Sequence, residues 1–593
     1  MVDDFIFGTL ATEQLRLERV YGLRAGISHA FRRFPRDPLP AHAIQLVLSA
    51  GPEFPVRRGW VYWTSDGSDP QGNFGHALNG FAAPLLFTHT EWDNVLWGYI
   101  SYYEAVLPRF PAGTVVRYCF GLEVSGKGEV LSDHGRVFAC YVDDDPLPDW
   151  TRDAIVYEVF VDRFSPAKGE NWKKPKTPGG FFGGTLRGIT DHLDYLADLG
   201  VNTLWLTPIF QSPSHHGYDA TDFFEVEARL GSKDDLRDLL TEAHHRGIRV
   251  LLDFVPNHVS NLHPYFQSAI SDPQSPYREW FTFHHYPDDY ETFFGVKSLP
   301  QLNLRYPPAR EYVLNAARYW LEFGVDGFRV DYAIGPAADF WADFRKVTRQ
   351  VKPDCWTFGE IVDPSDVQLT FTGQLDGALD FILLEGLRQS LAFGRWDGHK
   401  LASFLERHQA YFPADFSRPS FLDNHDMNRF LWAAGNDQRR LKLAALLQFS
   451  LSGPPVIYYG TEVGLSQKRD VRQDGRGVPE ESRLPMLWGK QQNTQLLNYY
   501  RKLIEVRKNF QAFSKGKFKV LDCNDWLVVL ERQYEQETLA VVINLSSTSQ
   551  NYSLPGQWFI QVQTDQNCER VLQDRITHLA LPALGGVILS KTR

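Results

Sequence analysis

Four short segments carry the side chains best suited to chemistry: Asp253-Phe254-Val255-Pro256-Asn257-His258, Gly327-Phe328-Arg329-Val330-Asp331, Phe358-Gly359-Glu360 and Phe421-Leu422-Asp423-Asn424-His425-Asp426. Each follows or forms a short apolar stretch with a β-branched bias. That pattern predicts the C-terminal end of a strand, where parallel barrels assemble their reactive groups. A lone Asp after an apolar run reads as readily as a helix N-cap. Four such segments in order, two of them pairing the carboxylate with a His or Arg, make coincidence a poor account. The chemistry they suit is cleavage of a glycosidic bond. One group must protonate the departing oxygen, and another must meet the developing oxocarbenium charge from the opposite face of the sugar.

Arg329 and Asp331 lie two residues apart on a strand, so their side chains share a face. The guanidinium is expected to hold Asp331 ionised and aimed, as a nucleophile requires. Glu360, amid Trp356, Phe358 and Ile361, is expected to be partly desolvated, with a raised pKa that keeps its proton available. It is therefore the candidate acid, then base. Asp426, beside His425, is placed to clamp sugar hydroxyls and favour a distorted ring, and His258 and His425 carry donors for the same hydroxyls. Taken singly, each His reads as structural; the company of the carboxylates reverses that.

These groups need a scaffold. A chain of 593 residues is too long for one core, and three domains are expected: a β-sandwich over 1–147, a catalytic unit over 148–513 and an all-β domain over 514–593. From about residue 8 to 145, short alternating runs separated by turn clusters suggest antiparallel strands. Four Trp there, Trp60, Trp63, Trp92 and Trp97, read as sandwich core ahead of ligand binding. Beyond residue 148, apolar strands alternate with helical stretches. Eight strand candidates, near 154–160, 201–206, 248–254, 325–331, 356–360, 375–381, 419–424 and 455–459, predict an α/β fold, an eight-stranded parallel β/α (TIM) barrel. Ser232 and Asp235 predict a capping box on a helix ended by Gly247. His244 and His245, in its last turn, read as favourable placement at the negative helix end rather than as metal ligands. A loop-rich insert over 259–308, after the third strand, should wall the cleft, because loops of that length are generally functional. The last barrel helix is expected over about 491–513.

Bulk properties narrow the classes. A hydrophobic content of 43% with 22% charged residues is that of a globular chain, and no stretch approaches the ~20 apolar residues of a membrane span. The acidic start, Met1-Val2-Asp3-Asp4-Phe5, is unlike a secretory signal. A net charge of −11 disfavours nucleic acid as a partner. Cys119, Cys140, Cys355, Cys523 and Cys568 are odd in number and form no Cys-x-x-Cys pair, which argues against a disulfide framework or zinc knuckle and predicts a reducing cytoplasm.

Over about residues 148–510 the chain resembles the α-amylase superfamily, glycoside hydrolase family 13, and within it the cyclomaltodextrinase, neopullulanase and maltogenic amylase group. Besides the four segments, the resemblance rests on Tyr157-Glu158-Val159-Phe160-Val161-Asp162-Arg163-Phe164, Phe181-Phe182-Gly183-Gly184, Gly200-Val201-Asn202-Thr203-Leu204-Trp205-Leu206-Thr207-Pro208-Ile209-Phe210, Leu299-Pro300-Gln301-Leu302-Asn303 and Ile457-Tyr458-Tyr459-Gly460. It implies a retaining enzyme with Asp331 as nucleophile, Glu360 as acid/base and Asp426 as transition-state stabiliser. It further implies Arg329, His258 and His425 around the attacked glucose and Tyr218 stacking beneath it, while Asp253 and Asn257 match structural positions. The implied activity is hydrolysis of α-1,4 bonds, with tolerance of α-1,6 bonds, in maltooligosaccharides, cyclodextrins or similar short α-glucans. A glucanotransferase or a starch-acting α-amylase on the same site are the alternatives, and a non-catalytic glucan-binding scaffold is disfavoured because Asp331 and Glu360 are both present. In relatives the amino-terminal domain helps form a dimer and roofs the partner's cleft, which extends to this chain as an expected homodimer.

The chain departs from that group in three places. Where relatives carry an acidic calcium loop, it has Ser165-Pro166-Ala167-Lys168-Gly169-Glu170-Asn171-Trp172-Lys173-Lys174, and Thr185 replaces an Asp. Calcium needs six or more oxygen ligands, several anionic, so no metal or other cofactor is expected. Glu360 is followed by Ile361-Val362 instead of Trp-His. Asp331 is followed by Tyr332-Ala333-Ile334-Gly335, without the charged residues that shape acceptor subsites. Phe293 or Phe294 of the insert is placed either as an acceptor-side stacking surface or as packing within the insert.

Overall fold

The computed structural model describes residues 13–473 and 476–592. The opening Met1 to Phe5, and the first residues of the alternating pattern, lie outside them. The described chain begins with a helix the sequence reading missed, α1 (Glu13–Ala25). Its Leu15, Leu17 and Val20 are exposed, so it has no buried apolar stripe to betray it.

The amino-terminal domain is a sandwich, as expected, but its two layers are one continuous antiparallel sheet. Strand Phe81–Asp93 pairs through Phe81 to Leu85 with Val56–Thr64, then through Leu86 to Asp93 with Gly98–Leu107. Ile44, Leu46 and Leu48 from one layer meet Val61, Phe120 and Leu122 from the other in a single buried cluster. The Trp expectation fails at two positions. Trp92 and Trp97 stand 46% and 79% exposed on the outer hairpin: Trp92 belongs to a stretch, Leu86 to Trp92, that is exposed on both faces, and Trp97 sits in the turn that follows the strand.

The catalytic unit closes as a barrel. Seven parallel strands run β1 (Val156–Val159), β2 (Thr203–Leu206), β3 (Arg249–Phe254), β4 (Gly327–Val330), β5 (Trp356–Gly359), β6 (Gly377–Ala378) and β7 (Val456–Tyr458), with β7 returning to pair with β1. The strand expected at 419–424 survives as two parallel bridges, Gly377 to Ser417 and Ser420 to Pro455, that complete the ring between β6 and β7. Pro419, Pro454 and Pro455 have no N–H to give a longer ladder. Trp205, Leu251, Trp356, Phe358 and Phe421 fill the barrel's interior. At Gly327, φ is +150° and a Cβ would lie 2.0 Å from the Trp356 carbonyl oxygen, so only glycine lets β4 and β5 approach here.

Ser232 caps α2 (Lys233–His245) in a full capping box with Asp235, and Gly247 follows with φ +69°. His244 Nε2 lies 2.8 Å from Asp326, an ion-pair geometry within the barrel's base. The insert holds a helix (Pro264–Ser271) and a short hairpin, and it returns to the barrel through a bridge between His258 and Gln301. The last barrel helix is Thr494–Asn509, after which a five-stranded and a three-stranded sheet enclose the carboxy-terminal core. None of the five cysteines is paired, and four are buried.

Buried ions fix the amino-terminal domain to the barrel. Arg117, 3% exposed, pairs with Asp339 and Asp343, and Arg310 reaches the same two carboxylates at 2.6 and 3.0 Å. Arg345 pairs with Asp143 at 2.7 Å. Arg117→Ala leaves two acids on one cation at this seam and is expected to lower stability by about 3 kcal/mol. The urea midpoint reads that loss, and an unmoved midpoint would show that Arg310 alone suffices.

Candidate active site

The expected residues converge at the C-terminal mouth of the barrel. Asp331 and Glu360 directly follow β4 and β5, and Asp426 lies beyond the bridged 417–420 segment, while Tyr218 comes from the loop after β2 and His258 from the turn after β3. In the strand register Asp253 faces Arg329, so a carboxylate and a guanidinium sit side by side on the inner surface. Arg329 is fully buried and binds three acids. Its Nη1 donates to Asp253 at 2.8 Å and to Asp331 at 2.9 Å, and its Nη2 makes an ion pair with Glu360 at 3.0 Å. One rigid fork thus sets the spacing of Asp331 and Glu360. The Tyr332 N–H, at a residue held at φ +40°, donates to the other Glu360 oxygen at 3.2 Å.

Electrostatics separate the acids. Burial pushes Glu360 up to about 7, with Asp331 and Asp426 adding to the rise and Arg329 opposing it. Burial likewise lifts Asp331 to about 6 against the pull of Arg329. Arg329 therefore limits the rise at Asp331 and does not depress it, which corrects the simpler expectation, because one guanidinium is shared among three carboxylates. The order is as anticipated: at neutral pH Glu360 keeps its proton more readily than Asp331.

A second network surrounds His425. Burial opposes its charge, but Asp426 and Glu158 outweigh that and raise it to about 10. Its Nδ1 lies 2.6 Å from Glu158, and its Nε2 lies 3.0 Å from Asp426 and 2.6 Å from the Tyr218 hydroxyl. An imidazolium satisfies every partner, since both nitrogens donate and Tyr218 is free to give its own proton to Asp253 at 2.9 Å. Burial works against the Asp426 carboxylate too, yet His425 and Arg483 together hold it well below the usual range. Arg483 Nη2 donates to Asp426 at 2.9 Å. The Tyr218 ring lies parallel to His425, 5.2 Å between centroids. Burial lowers His258 to about 3, so it is neutral; its ring stacks on Phe293 at 4.6 Å, and its Nε2 has no hydrogen-bond partner. Phe293 is thus packing within the wall of the site, while Phe294 is 51% exposed.

With this geometry in place, comparison with known proteins is decisive. The profile "Alpha amylase, catalytic domain" matches residues 158–516. The chain belongs to the α-amylase family of glycoside hydrolases. It is 34% identical over 565 residues to "Alpha-amylase 2" of Dictyoglomus thermophilum, an alignment that spans 94% of both chains. It is 36% identical to a Bacillus sp. "Cyclomaltodextrinase" over 421 residues, 67% of this chain and 73% of that one. A solved "Cyclomaltodextrinase" structure superposes with a TM-score of 0.70 at 27% identity, covering 95% of this chain and 99% of its own.

Within this α-amylase family site, sequence reasoning missed three contributors. Asp253, placed at a structural position by the sequence, is fully buried and joins Arg329, Tyr218 and, at 3.1 Å, the Trp205 indole. Glu158 and Trp205 lie in segments noted for family resemblance, without a signal for a direct role. Arg483 comes from an irregular loop with no motif around it. Glu158→Gln keeps a hydrogen bond to His425 but removes a charge, so the imidazolium loses support as pH rises. An approximately tenfold or greater loss of kcat/KM, growing toward alkaline pH, is expected from weakening a charged hydrogen bond. A flat pH ratio between variant and parent would exclude this role.

The calcium expectation can be weighed on the loop itself. The Asp162 carboxylate is engaged by Arg163 and by the N–H groups of Phe182 and Gly183, and Asp191 accepts from the Lys168 N–H. Thr185, where an Asp was expected, accepts from the Gly188 N–H as a helix N-cap. Among the described residues there is no group of three His, Cys, Asp or Glu side chains arranged for a metal. The carboxylates of this loop are thus already engaged by protein donors.

Proposed function

We propose that the protein hydrolyses α-1,4-glucosidic bonds of short α-glucans with retention, through a covalent glycosyl ester on Asp331. The observation that carries the reading is the single Arg329 fork that ties Asp331 and Glu360 to neighbouring nitrogens while leaving Glu360 the weaker acid. Glu360 protonates the leaving oxygen as Asp331 attacks, then removes a proton from the water that releases the sugar. Asp426, held anionic by His425 and Arg483, stabilises the charge developing on the ring. His258 Nε2, Arg329, His425 and the Tyr218 face receive the glucose being attacked. The step needs no metal, in keeping with the loop described above, and chelation should leave turnover unchanged.

Cyclodextrin, maltooligosaccharides, pullulan and soluble starch form the test panel. Release of reducing sugar from the small substrates at rates above starch supports the reading, and release from none rejects it. A second reading, a starch-acting α-amylase, draws on the near full-length alignment to the Dictyoglomus protein named "Alpha-amylase 2". It predicts the opposite rate order.

For assembly, a homodimer is proposed through the outer hairpin, where Leu86, Phe87, Trp97 and Tyr99 are all more than half exposed. Sedimentation reads this: Trp97→Asp should shift a dimer to monomer, and a parent chain that sediments as a monomer would refute it. Among the described residues no helix is long and apolar enough to cross a membrane. A cytoplasmic location is proposed on the unpaired cysteines.

A further inference from the structure

At the opposite end of the barrel from the catalytic carboxylates lies a cavity of about 190 Å³. Three parts of the chain meet there: the segments that lead into the bridged strand and β7 (Arg418, Gly453), the approach to β1 (Arg152), and the first residues of the carboxy-terminal domain (Lys515, Gly516). Arg152, Arg418 and Lys515 bring three cations to its lining, and among the described residues that line it there is no acid. Arg418 is 8% exposed and only loosely neutralised. Its contacts with Asp380, the His408 carbonyl and Gln409 are all long, 3.3 to 3.4 Å, while Asp380 sits closer to His408, at 2.9 Å. Two more guanidiniums stand behind the wall. Arg507 donates to the Ser452 and Gly453 carbonyls at 3.3 and 2.9 Å, and Arg532 donates to the Gly516 carbonyl at 2.9 Å and the Ser452 hydroxyl at 2.8 Å. Burial lowers Arg507 to about 10 against the pull of Asp153, and burial together with Arg507 lowers Arg532 to about 9. The wall oxygens that would repel an anion are thus turned toward protein donors, and the Ser452 hydroxyl, which accepts from Arg532, keeps its own proton to give.

We propose that this cavity binds a phosphate group and thereby clasps the carboxy-terminal domain to the base of the barrel. The site goes beyond glucan cleavage and does not rest on it. Its volume is below the about 300 Å³ at which ordinary small-ligand sites begin, so it admits the phosphate group itself, free or as the end of a phosphate monoester, and leaves an attached sugar outside. A dianion among Arg152, Arg418 and Lys515 gains charge-assisted hydrogen bonds, and the planar fork of Arg418 matches two phosphate oxygens. A buried guanidinium without a close acid costs stability, and the bound dianion removes that cost.

Isothermal titration calorimetry on the full chain tests this, with inorganic phosphate and glucose 1-phosphate as probes in chloride buffer of constant ionic strength. Saturable heat is expected from the parent. Arg152→Ala and Lys515→Ala, both clear of the active site, should each weaken binding about tenfold or more, as loss of one charged hydrogen bond implies, and leave maltotriose turnover unchanged. Tighter binding of glucose 1-phosphate would assign the site to a phosphate ester, and tighter binding of inorganic phosphate to the free ion. No saturable heat from either probe, or heat that both variants keep in full, overturns the proposal. Melting reads the clasp: saturating phosphate should raise the melting temperature of the parent and not that of the doubly substituted chain, and binding without that rise would reject the clasp. A parent chain that binds phosphate but cleaves no glucan would reject the proposed function and leave this site standing, a distinct result.

Discussion

Asp331→Asn is expected to cut turnover of maltooligosaccharides by about four orders of magnitude or more while the fold persists, since no other group can form the covalent intermediate. Stability should move the other way. Burial raises Asp331 to about 6. An acid whose folded pKa lies above its unfolded value costs stability as pH rises through that interval, so at pH 7 the parent carries a charge the fold disfavours. Asparagine removes it, and the melting temperature of the variant should equal or exceed that of the parent. Activity and thermal melting on the same preparation decide the matter. Near-normal turnover would remove Asp331 from the nucleophile's place; lost turnover together with a lower melting temperature would mean that the Arg329 pairing outweighs the burial cost.

That opposition explains the architecture around Arg329. Three carboxylates within reach of one guanidinium carry more negative charge than it can neutralise, and all are buried. The remedy is partial protonation: Glu360, Asp331 and Asp253 are all lifted toward neutrality. The adjacent network has the complementary composition, with two cations, His425 and Arg483, against Asp426 and a Glu158 that burial lifts. At neutral pH the mouth of the barrel therefore keeps Asp426 ionised, while Asp331 gives up its proton more readily than Glu360. Double displacement uses that order, an attacking carboxylate beside an acid that still has a proton to give.

How far this was legible in the sequence depended on periodicity and local spacing. Asp331, Glu360 and Asp426 each follow a short apolar run, so strand ends could be located and the carboxylates placed at one mouth. Arg329 and Asp331 share a face by simple alternation. Glu158 and Arg483 were not legible, since their roles arise from barrel closure, which brings Glu158 of β1 within 2.6 Å of His425 across the mouth and folds a loop without regular structure over Asp426. The helix α1 escaped because a polar helix leaning on one surface carries no apolar period. Trp92 and Trp97 show a related limit: composition says that a Trp is large and apolar, whereas one lies on a hairpin exposed on both faces and the other in its turn.

Glu360→Gln should separate chemistry from architecture most cleanly. Loss of a general acid lowers kcat on maltooligosaccharides by about 10²- to 10⁴-fold. An aryl α-maltoside whose phenolate leaves without a proton should lose far less in its first step. The pH profile supplies a second, independent sign. The parent should show a bell with apparent values near 6 and 7: below the first, Asp331 is protonated and cannot attack, and above the second, Glu360 has lost the proton it must give. With glutamine in place the alkaline fall should vanish and the acid limb remain, because only the group that titrates near 7 has been removed. Equal losses on natural and aryl substrates, or an alkaline limb that survives the substitution, would show that another group delivers the proton.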